Sequence, residues 1–133
     1  MKQLETKKEI NALAVMFIFT YMVSYITRIN YGAIVSEIES ATGISRDLLS
    51  MEPTGSCITY GVGQIVSGIC GDRFSTKKLI ALGLAVTTVT NLLMPLCSDP
   101  YQMLAVWCVN GFAQAFLWPP IVKTMVVLLR AED

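Results

Sequence analysis

Apolar residues fill four long blocks of the chain, and short segments with most of the charges separate them. Each block is near the ~20 residues that a helix needs to cross ~30 Å of hydrocarbon. The blocks are too long and too continuous for the ~10-residue alternating strands of a membrane β-barrel. The pattern therefore predicts an all-α membrane protein with four transmembrane helices, within residues 11–35, 53–71, 79–97 and 101–129. Residues 1–10 and 130–133 are predicted to be short flanking ends.

Composition agrees with this class. Hydrophobic residues make up 53% of the chain and charged residues only 15%, against ~25% charged in ordinary soluble domains. The ten basic and ten acidic residues cancel, so net charge gives no support for a nucleic-acid partner. A cleaved signal peptide is disfavoured, because the first apolar run is too long and lacks a small-residue cleavage pattern.

The placement of lysine and arginine predicts the orientation, because positive residues are retained on the cytoplasmic side of short loops. One side has three basic clusters, formed by Lys2, Lys7 and Lys8, by Arg73, Lys77 and Lys78, and by Lys123 and Arg130. The other side has only Arg46, together with Glu37, Glu39, Asp47 and Glu52. Both termini are therefore predicted to be cytoplasmic, as in a bacterial inner-membrane protein.

Arg28 is the single formal charge in the apolar run from Ile10 to Ser36. An arginine near mid-bilayer costs ~3 kcal/mol on insertion scales, so one that persists usually faces a protein interior or a wet cavity. Tyr21 and Tyr25 precede it at helical spacing, so all three side chains share one face. A guanidinium fork suits a phosphate or carboxylate, and phenols add hydrogen bonds. The alternative is an arginine that snorkels outward beside interfacial tyrosines.

The second predicted helix is rich in small residues, which let helices approach closely in lipid. Two larger polar residues, Tyr60 and Gln64, lie four apart and share one face of this helix. The four cysteines lack the close pairs of zinc or redox sites, and the chain has no histidine. No metal, cofactor or catalytic residue is therefore predicted, and the protein is not expected to be an enzyme.

The segment between the second and third predicted helices resembles the cytoplasmic signature of the major facilitator superfamily. That signature has a glycine, an aspartate-arginine pair and a short basic turn, here Gly68, Asp72, Arg73, Lys77 and Lys78. Charged groups at helix ends can form contacts on one side of a transport cycle and break them on the other. Ser75 departs from the glycine that the family usually has in this turn.

The fourth predicted helix carries the most specific motif. Residues 110–126 read NGFAQAFLWPPIVKTMV and closely resemble a segment of the organophosphate:phosphate antiporters. Residues 24–31, SYITRINY, resemble the first helix of the same family. Two adjacent prolines free backbone acceptors and bend a membrane helix, which is tolerated where neighbours or a cavity satisfy them.

This resemblance implies a substrate site on this chain. The arginine matching Arg28 binds the substrate phosphate in the family, and the tyrosines matching Tyr21, Tyr25 and Tyr60 line the same site. The residues matching Gln114 and Trp118 lie near it. Gln64 stands where the glycerol-3-phosphate transporter has a lysine, and Ile29 replaces a basic neighbour of the arginine, so the exact substrate is not implied.

The superfamily builds a transporter from twelve helices in two six-helix halves, whereas this chain is predicted to supply the first four. We therefore expect a truncated or fragmentary transporter that exchanges no phosphate ester for phosphate by itself. Its expected partners are a phosphate or phosphate-ester anion, the lipid bilayer, and the missing C-terminal half or a full-length homologue. Two alternatives stay open, a membrane sensor related to sugar-phosphate receptors and a small four-helix exporter acting as a dimer.

Overall fold

The structure, a computed structural model, describes residues 7–128 and contains only helices and connecting turns in that range. Residues 1–6 and 129–133, which hold most of the two predicted flanking ends, lie outside the described residues. The predicted all-α class is confirmed. The helices are α1 (Lys7–Thr42), α2 (Arg46–Leu49), α3 (Met51–Arg73), α4 (Thr76–Leu93), a 3₁₀ turn (Met94–Leu96), α5 (Pro100–Gln114) and α6 (Trp118–Leu128).

Helix α1 is longer than the apolar pattern predicted. It has 36 residues and measures about 54 Å at ~1.5 Å per residue. The sequence from Ser36 to Thr42 is polar but contains no helix breaker, so the helix continues beyond the apolar run. It ends before Gly43, whose φ of 70° is the left-handed conformation that glycine adopts at a helix end.

Among the described residues, three helical stretches are long and apolar enough to cross a membrane, namely Lys8–Thr42, Thr76–Leu96 and Pro100–Val127. Helix α3 has 23 residues, a length of about 34 Å, but its many glycines and serines lower its apolar content. The count of four spans therefore remains a prediction for α3.

Small residues allow α3 and α5 to pack closely. A Cβ added to Gly63 would lie 2.6 Å from the Cβ of Ala115. A Cβ added to Gly111 would overlap the backbone oxygen and hydroxyl of Ser56. Backbones that approach this closely gain the van der Waals contact that holds membrane helices together. The glycine-rich pattern of α3 has this packing role at Gly63, whereas Gly61 faces open space.

A cluster of apolar residues joins α1, α2 and α5 at the end of the bundle that is predicted to be the outer one. Its buried members are Tyr31, Leu49, Met94, Met103 and Trp107. The rings of Tyr31 and Trp107 lie 5.3 Å apart between centroids, and the Tyr31 hydroxyl donates a hydrogen bond to the carbonyl of Leu49 at 3.1 Å. This cluster fixes the outer part of α1 against the other helices.

The fourth predicted helix, expected to be continuous over 101–129, is interrupted at residues 115–117. Pro119 and Pro120 have no backbone N–H, so the carbonyls four residues earlier cannot receive their usual helical bonds. The chain tightens before them, and the N–H groups of Phe116 and Leu117 bond to the residues three positions back, Ala113 and Gln114, at 3.1 Å each. The prolines thus produce a break between α5 and α6, where the sequence predicted only a bend.

Candidate anion-binding site

The site is built around Arg28, which is half-buried and lies near the middle of α1. The Cζ atom of Arg28 lies 4.3 Å from the centroid of the Tyr60 ring, which belongs to α3. This cation–π contact holds the guanidinium by its flat face. The N–H donors of a guanidinium radiate in its plane, so stacking leaves them directed away from the ring.

Arg28 has no protein acceptor within residues 7–128. It donates no hydrogen bond there, and the ion pair found in that range joins Lys123 to Asp72 instead. A cation in an apolar setting is stabilised by a counter-charge. The geometry therefore leaves a planar fork of donors available for an anion that comes from outside the described chain.

Aromatic rings extend from Arg28 along the same face of α1. The Tyr21 and Tyr25 ring centroids are 6.0 Å apart, and the Tyr21 ring lies 5.1 Å from that of Trp118 at the start of α6. These three side chains keep 42%, 51% and 44% of their surface exposed, respectively. They form an open wall with apolar faces and two phenolic hydroxyls.

Gln114 lies at the end of α5, directly before the break. It is buried, and its Nε2 atom donates to the hydroxyl of Thr27 on α1 at 3.4 Å. Since Thr27 precedes Arg28, this bond links the break to the centre of the site. The two residues that flank the break therefore contact α1 at different positions along its length. Gln114 contacts Thr27, and Trp118 contacts Tyr21.

Gln64 lies one helical turn after Tyr60 on α3. Its Nε2 atom is buried and has no hydrogen-bond partner within the described residues. A buried amide donor that is unsatisfied costs ~1–3 kcal/mol. Gln64 is thus an additional donor near Tyr60, although the structure records no contact between it and Arg28.

Thr27 is a residue of this region that the sequence reasoning did not single out. A threonine inside an apolar helix often bonds its own backbone, and Thr27 does donate to the carbonyl of Ser24 at 2.8 Å. Its second contact, with Gln114, spans 87 positions of the chain. Spacing within one helix carries no signal for such a pair.

Most of the signature between the second and third predicted helices is helical and not a loop. Asp72 and Arg73 are the last residues of α3, and Lys77 and Lys78 lie in the first turn of α4, so only Phe74 and Ser75 connect the helices. Gly68 lies on an α3 face that is open in the described chain. Arg73, Lys77 and Lys78 are exposed, and the structure records no ion pair for them within residues 7–128.

Lys123 provides a contact that the sequence reasoning missed. Its Nζ atom donates to the Asp72 carboxylate at 2.7 Å and to the Gly71 carbonyl at 2.8 Å. The ammonium thereby neutralises the negative end of the α3 dipole as well as the carboxylate. This contact ties α6 to the end of α3, where the sequence had assigned Lys123 only to the topology signal.

The hydrogen bond from Lys123, and then its charge, lower the pKa of Asp72, which follows the predicted span of α3. A carboxyl with a lowered folded-state pKa stabilises the fold fully above its ordinary pKa of ~3.9 and loses that contribution as pH falls through the lowered value. We expect acid weakening of the α3–α6 contact, measured by unfolding in detergent at a series of pH values. Both groups are exposed, so the effect should be small and should shrink with added salt.

Lys123→Met is expected to remove this acid-dependent component. Asp47→Asn is the matched control, because Asp47 is an exposed carboxyl with no ion pair within residues 7–128. An unchanged acid response in Lys123→Met, or an equal loss in Asp47→Asn, would contradict the assignment of this response to the Lys123–Asp72 pair.

Comparison with known proteins identifies the family. The chain matches the Major Facilitator Superfamily over residues 17–132, a range that begins within α1 and includes every later helix. The chain belongs to the major facilitator superfamily. Its apolar helices and this membership make it an integral membrane protein.

Three relatives indicate which family within the superfamily the chain resembles. The chain is 32% identical to the membrane sensor protein UhpC of Salmonella typhimurium over 72% of this chain and 22% of the relative. It is 27% identical to a probable hexose phosphate transport protein of Chlamydia trachomatis over 79% of this chain and 23% of the relative. It is 26% identical to the glycerol-3-phosphate transporter of Bacillus subtilis over 76% of this chain and 23% of the relative.

These relatives place the chain in the organophosphate:phosphate antiporter family, as the resemblance of residues 110–126 predicted. The chain spans less than a quarter of the length of each of these three relatives. No solved structure matches the chain significantly.

Proposed function

We propose that this chain supplies the phosphate-binding wall of a transporter that exchanges a phosphate ester for inorganic phosphate. The observation that carries the proposal is the Arg28 guanidinium, which is stacked on Tyr60 and has no protein acceptor within residues 7–128. An arginine fork matches two oxygens of a phosphate group. The names of the relatives, which include hexose phosphate and glycerol-3-phosphate transporters, support phosphate esters as the substrate class.

In this proposal Arg28 binds the phosphate group, and Tyr60 orients its guanidinium. Tyr21, Tyr25 and Trp118 contact the organic part of the ester, because they present apolar ring faces together with hydroxyl groups. Gln114 positions α1 through Thr27, and Gln64 offers a further donor to the substrate. The exposed faces of Tyr21, Tyr25 and Trp118 are well placed to meet a second half of a transporter, which would complete the site.

We further propose an orientation with both termini in the cytoplasm of a bacterial cell. The support is the distribution of basic residues, with Arg73, Lys77 and Lys78 at one end of the bundle and only Arg46 at the other. In that orientation the Lys123–Asp72 pair lies at the cytoplasmic surface, where a contact between helix ends can change during a transport cycle.

Trp118 gives a direct test of ligand binding. In a Trp107→Phe background, Trp118 is the remaining tryptophan of the two in the chain. We expect glucose 6-phosphate to cause a saturable change in its fluorescence in lipid nanodiscs, because the ester would lie beside Trp118 and Tyr21. Inorganic phosphate is expected to compete, whereas uncharged glucose should have no effect. An identical response to glucose and to its phosphate, or none to either, would contradict the proposal.

A membrane sensor is the second candidate function, and the similarity to UhpC is the observation that favours it. A sensor and an exchanger would both bind the anion through Arg28. They differ in flux, because a sensor that contains this chain would bind phosphate ester without exchanging it across a vesicle membrane. Exchange of internal radioactive phosphate for external ester by the transporter assembly would favour the antiporter.

A further inference from the structure

Glu52 is a buried carboxyl group that the anion site does not use. It lies in the first turn of α3 and is 0% exposed. Both of its carboxylate oxygens are buried, and neither has a hydrogen-bond partner within the described residues. Burying a carboxylate without a partner is very unfavourable, and such a group keeps its proton instead.

Tyr31 is the polar neighbour of this carboxyl group. Its hydroxyl donates its proton at 3.1 Å to the carbonyl of Leu49, which precedes Glu52 by three residues, so the hydroxyl lies near the start of α3. A phenolic oxygen that donates to one group can still accept from another. A protonated Glu52 can therefore donate to Tyr31, which completes a chain of donors from α3 through α1 to α2.

Within residues 7–128, no basic side chain forms an ion pair with Glu52. Arg46 and Asp47 on α2 are exposed, as are Glu37 on α1 and Tyr101 on α5. Cys108 on α5 approaches Gly55, which follows Glu52 by three residues on α3, and α4 has its lysines at the opposite end of the bundle. The ion pair in residues 7–128 is the distant one between Lys123 and Asp72. A proton is thus the ligand that this carboxyl can accept without a new counter-charge.

A cavity of about 370 Å³ borders Tyr31. It also reaches Asn30, Asn91 and Glu37, which give it a polar rim, and Trp107 forms part of its wall. A proton that leaves Glu52 can reach this cavity by way of the Tyr31 hydroxyl. The cavity thus reaches Tyr31 and not Glu52 itself.

We propose that Glu52 is a proton-binding site at the outer end of the bundle, and that its proton decides which hydrogen bond Tyr31 makes. With the proton bound, Glu52 donates to Tyr31 and Tyr31 donates to Leu49. When the proton leaves to water, the Tyr31 hydroxyl turns to the Glu52 carboxylate, and the bond to Leu49 breaks. This exchange shifts α1 from an attachment to α2 towards one to α3, and it does not depend on phosphate binding.

Infrared difference spectroscopy of the chain in lipid nanodiscs tests the bound proton. At neutral pH we expect the C=O stretching band of a protonated carboxyl group, with loss of that band in Glu52→Gln. Asp47→Asn is the matched control and should keep the band, because Asp47 is an exposed carboxyl on the same side of the bundle. Absence of the band in the unmodified chain, or its persistence in Glu52→Gln, would overturn the proposal.

Tyr31→Phe tests the hydrogen bond separately and retains the ring that packs on Trp107. We expect the Glu52 band to move to the higher frequency of a carboxyl group without an acceptor. In a Trp118→Phe background, raising the pH should remove the band and change Trp107 fluorescence together, and Glu52→Gln should abolish both changes. An unshifted band in Tyr31→Phe, or a Trp107 response that survives in Glu52→Gln, would refute the exchange of bonds.

Discussion

Replacement of Arg28 by alanine is expected to abolish measurable phosphate binding by the chain in lipid nanodiscs. The guanidinium offers two parallel charge-assisted hydrogen bonds to a phosphate group, each worth ~1.5–3 kcal/mol. Since ~1.4 kcal/mol corresponds to a tenfold change in affinity, the loss should be roughly a hundredfold or more. Titration calorimetry with inorganic phosphate, and the Trp118 fluorescence titration with glucose 6-phosphate, both measure it.

Arg28→Lys separates charge from geometry. Lysine keeps the positive charge but has no planar fork and does not stack on Tyr60 as a guanidinium does, so we expect binding to weaken by roughly tenfold or more. Arg46→Ala is the matched control, because it removes an exposed arginine at the far end of the bundle. Unchanged affinity in both Arg28 variants, or equal weakening in Arg46→Ala, would show that Arg28 is not the phosphate ligand.

Gly111→Ala is expected to destabilise the helix bundle strongly for so small a change. The new methyl group would overlap the backbone oxygen of Ser56 and its hydroxyl, and a backbone cannot turn aside as a long side chain can. Overpacking of this kind costs ~1–3 kcal/mol, occasionally more, although alanine favours helix by ~1 kcal/mol over glycine. The free energy of unfolding is measured by unfolding the reconstituted chain with increasing concentrations of a denaturing detergent.

Gly61→Ala is the matched control on the opposing helix. A Cβ at Gly61 meets nothing within 4 Å, so alanine there should be neutral or slightly stabilising through its helix propensity. If the two variants unfold alike, the close approach of α3 and α5 is not what holds the bundle together.

The fold class could be predicted from the sequence because each membrane-spanning helix requires a long run of apolar residues. The end of α1 could not, since residues 36–42 are polar yet still helical until Gly43. The break at residues 115–117 was predicted only as a bend. The sequence shows that Pro119 and Pro120 lack backbone N–H donors. Whether the helix then bends or tightens into a turn depends on which earlier carbonyls the remaining N–H groups bond to.

Contacts within one helix were easier to foresee than contacts between helices. The spacing of Tyr21, Tyr25 and Arg28 placed them on one face, and the resemblance to the antiporters joined them to Tyr60. The pairing of Lys123 with Asp72 escaped the sequence reasoning, because the two residues are 51 positions apart and each had a sufficient reason to be there as a topology signal. Glu52 escaped for the same reason, since a carboxyl group near a predicted loop gives no sign of burial.

Contact between the Arg28 guanidinium and a phosphate group is the central feature of the proposed site, and solid-state NMR measures this contact directly. With ¹⁵N-labelled arginine and phosphate added to the chain in bilayers, dipolar coupling between ³¹P and guanidinium ¹⁵N reports hydrogen-bond distances. We expect strong coupling for one arginine, which disappears in Arg28→Lys and persists in Arg46→Lys. Bound phosphate that couples to no arginine, or whose coupling survives in Arg28→Lys, would contradict it.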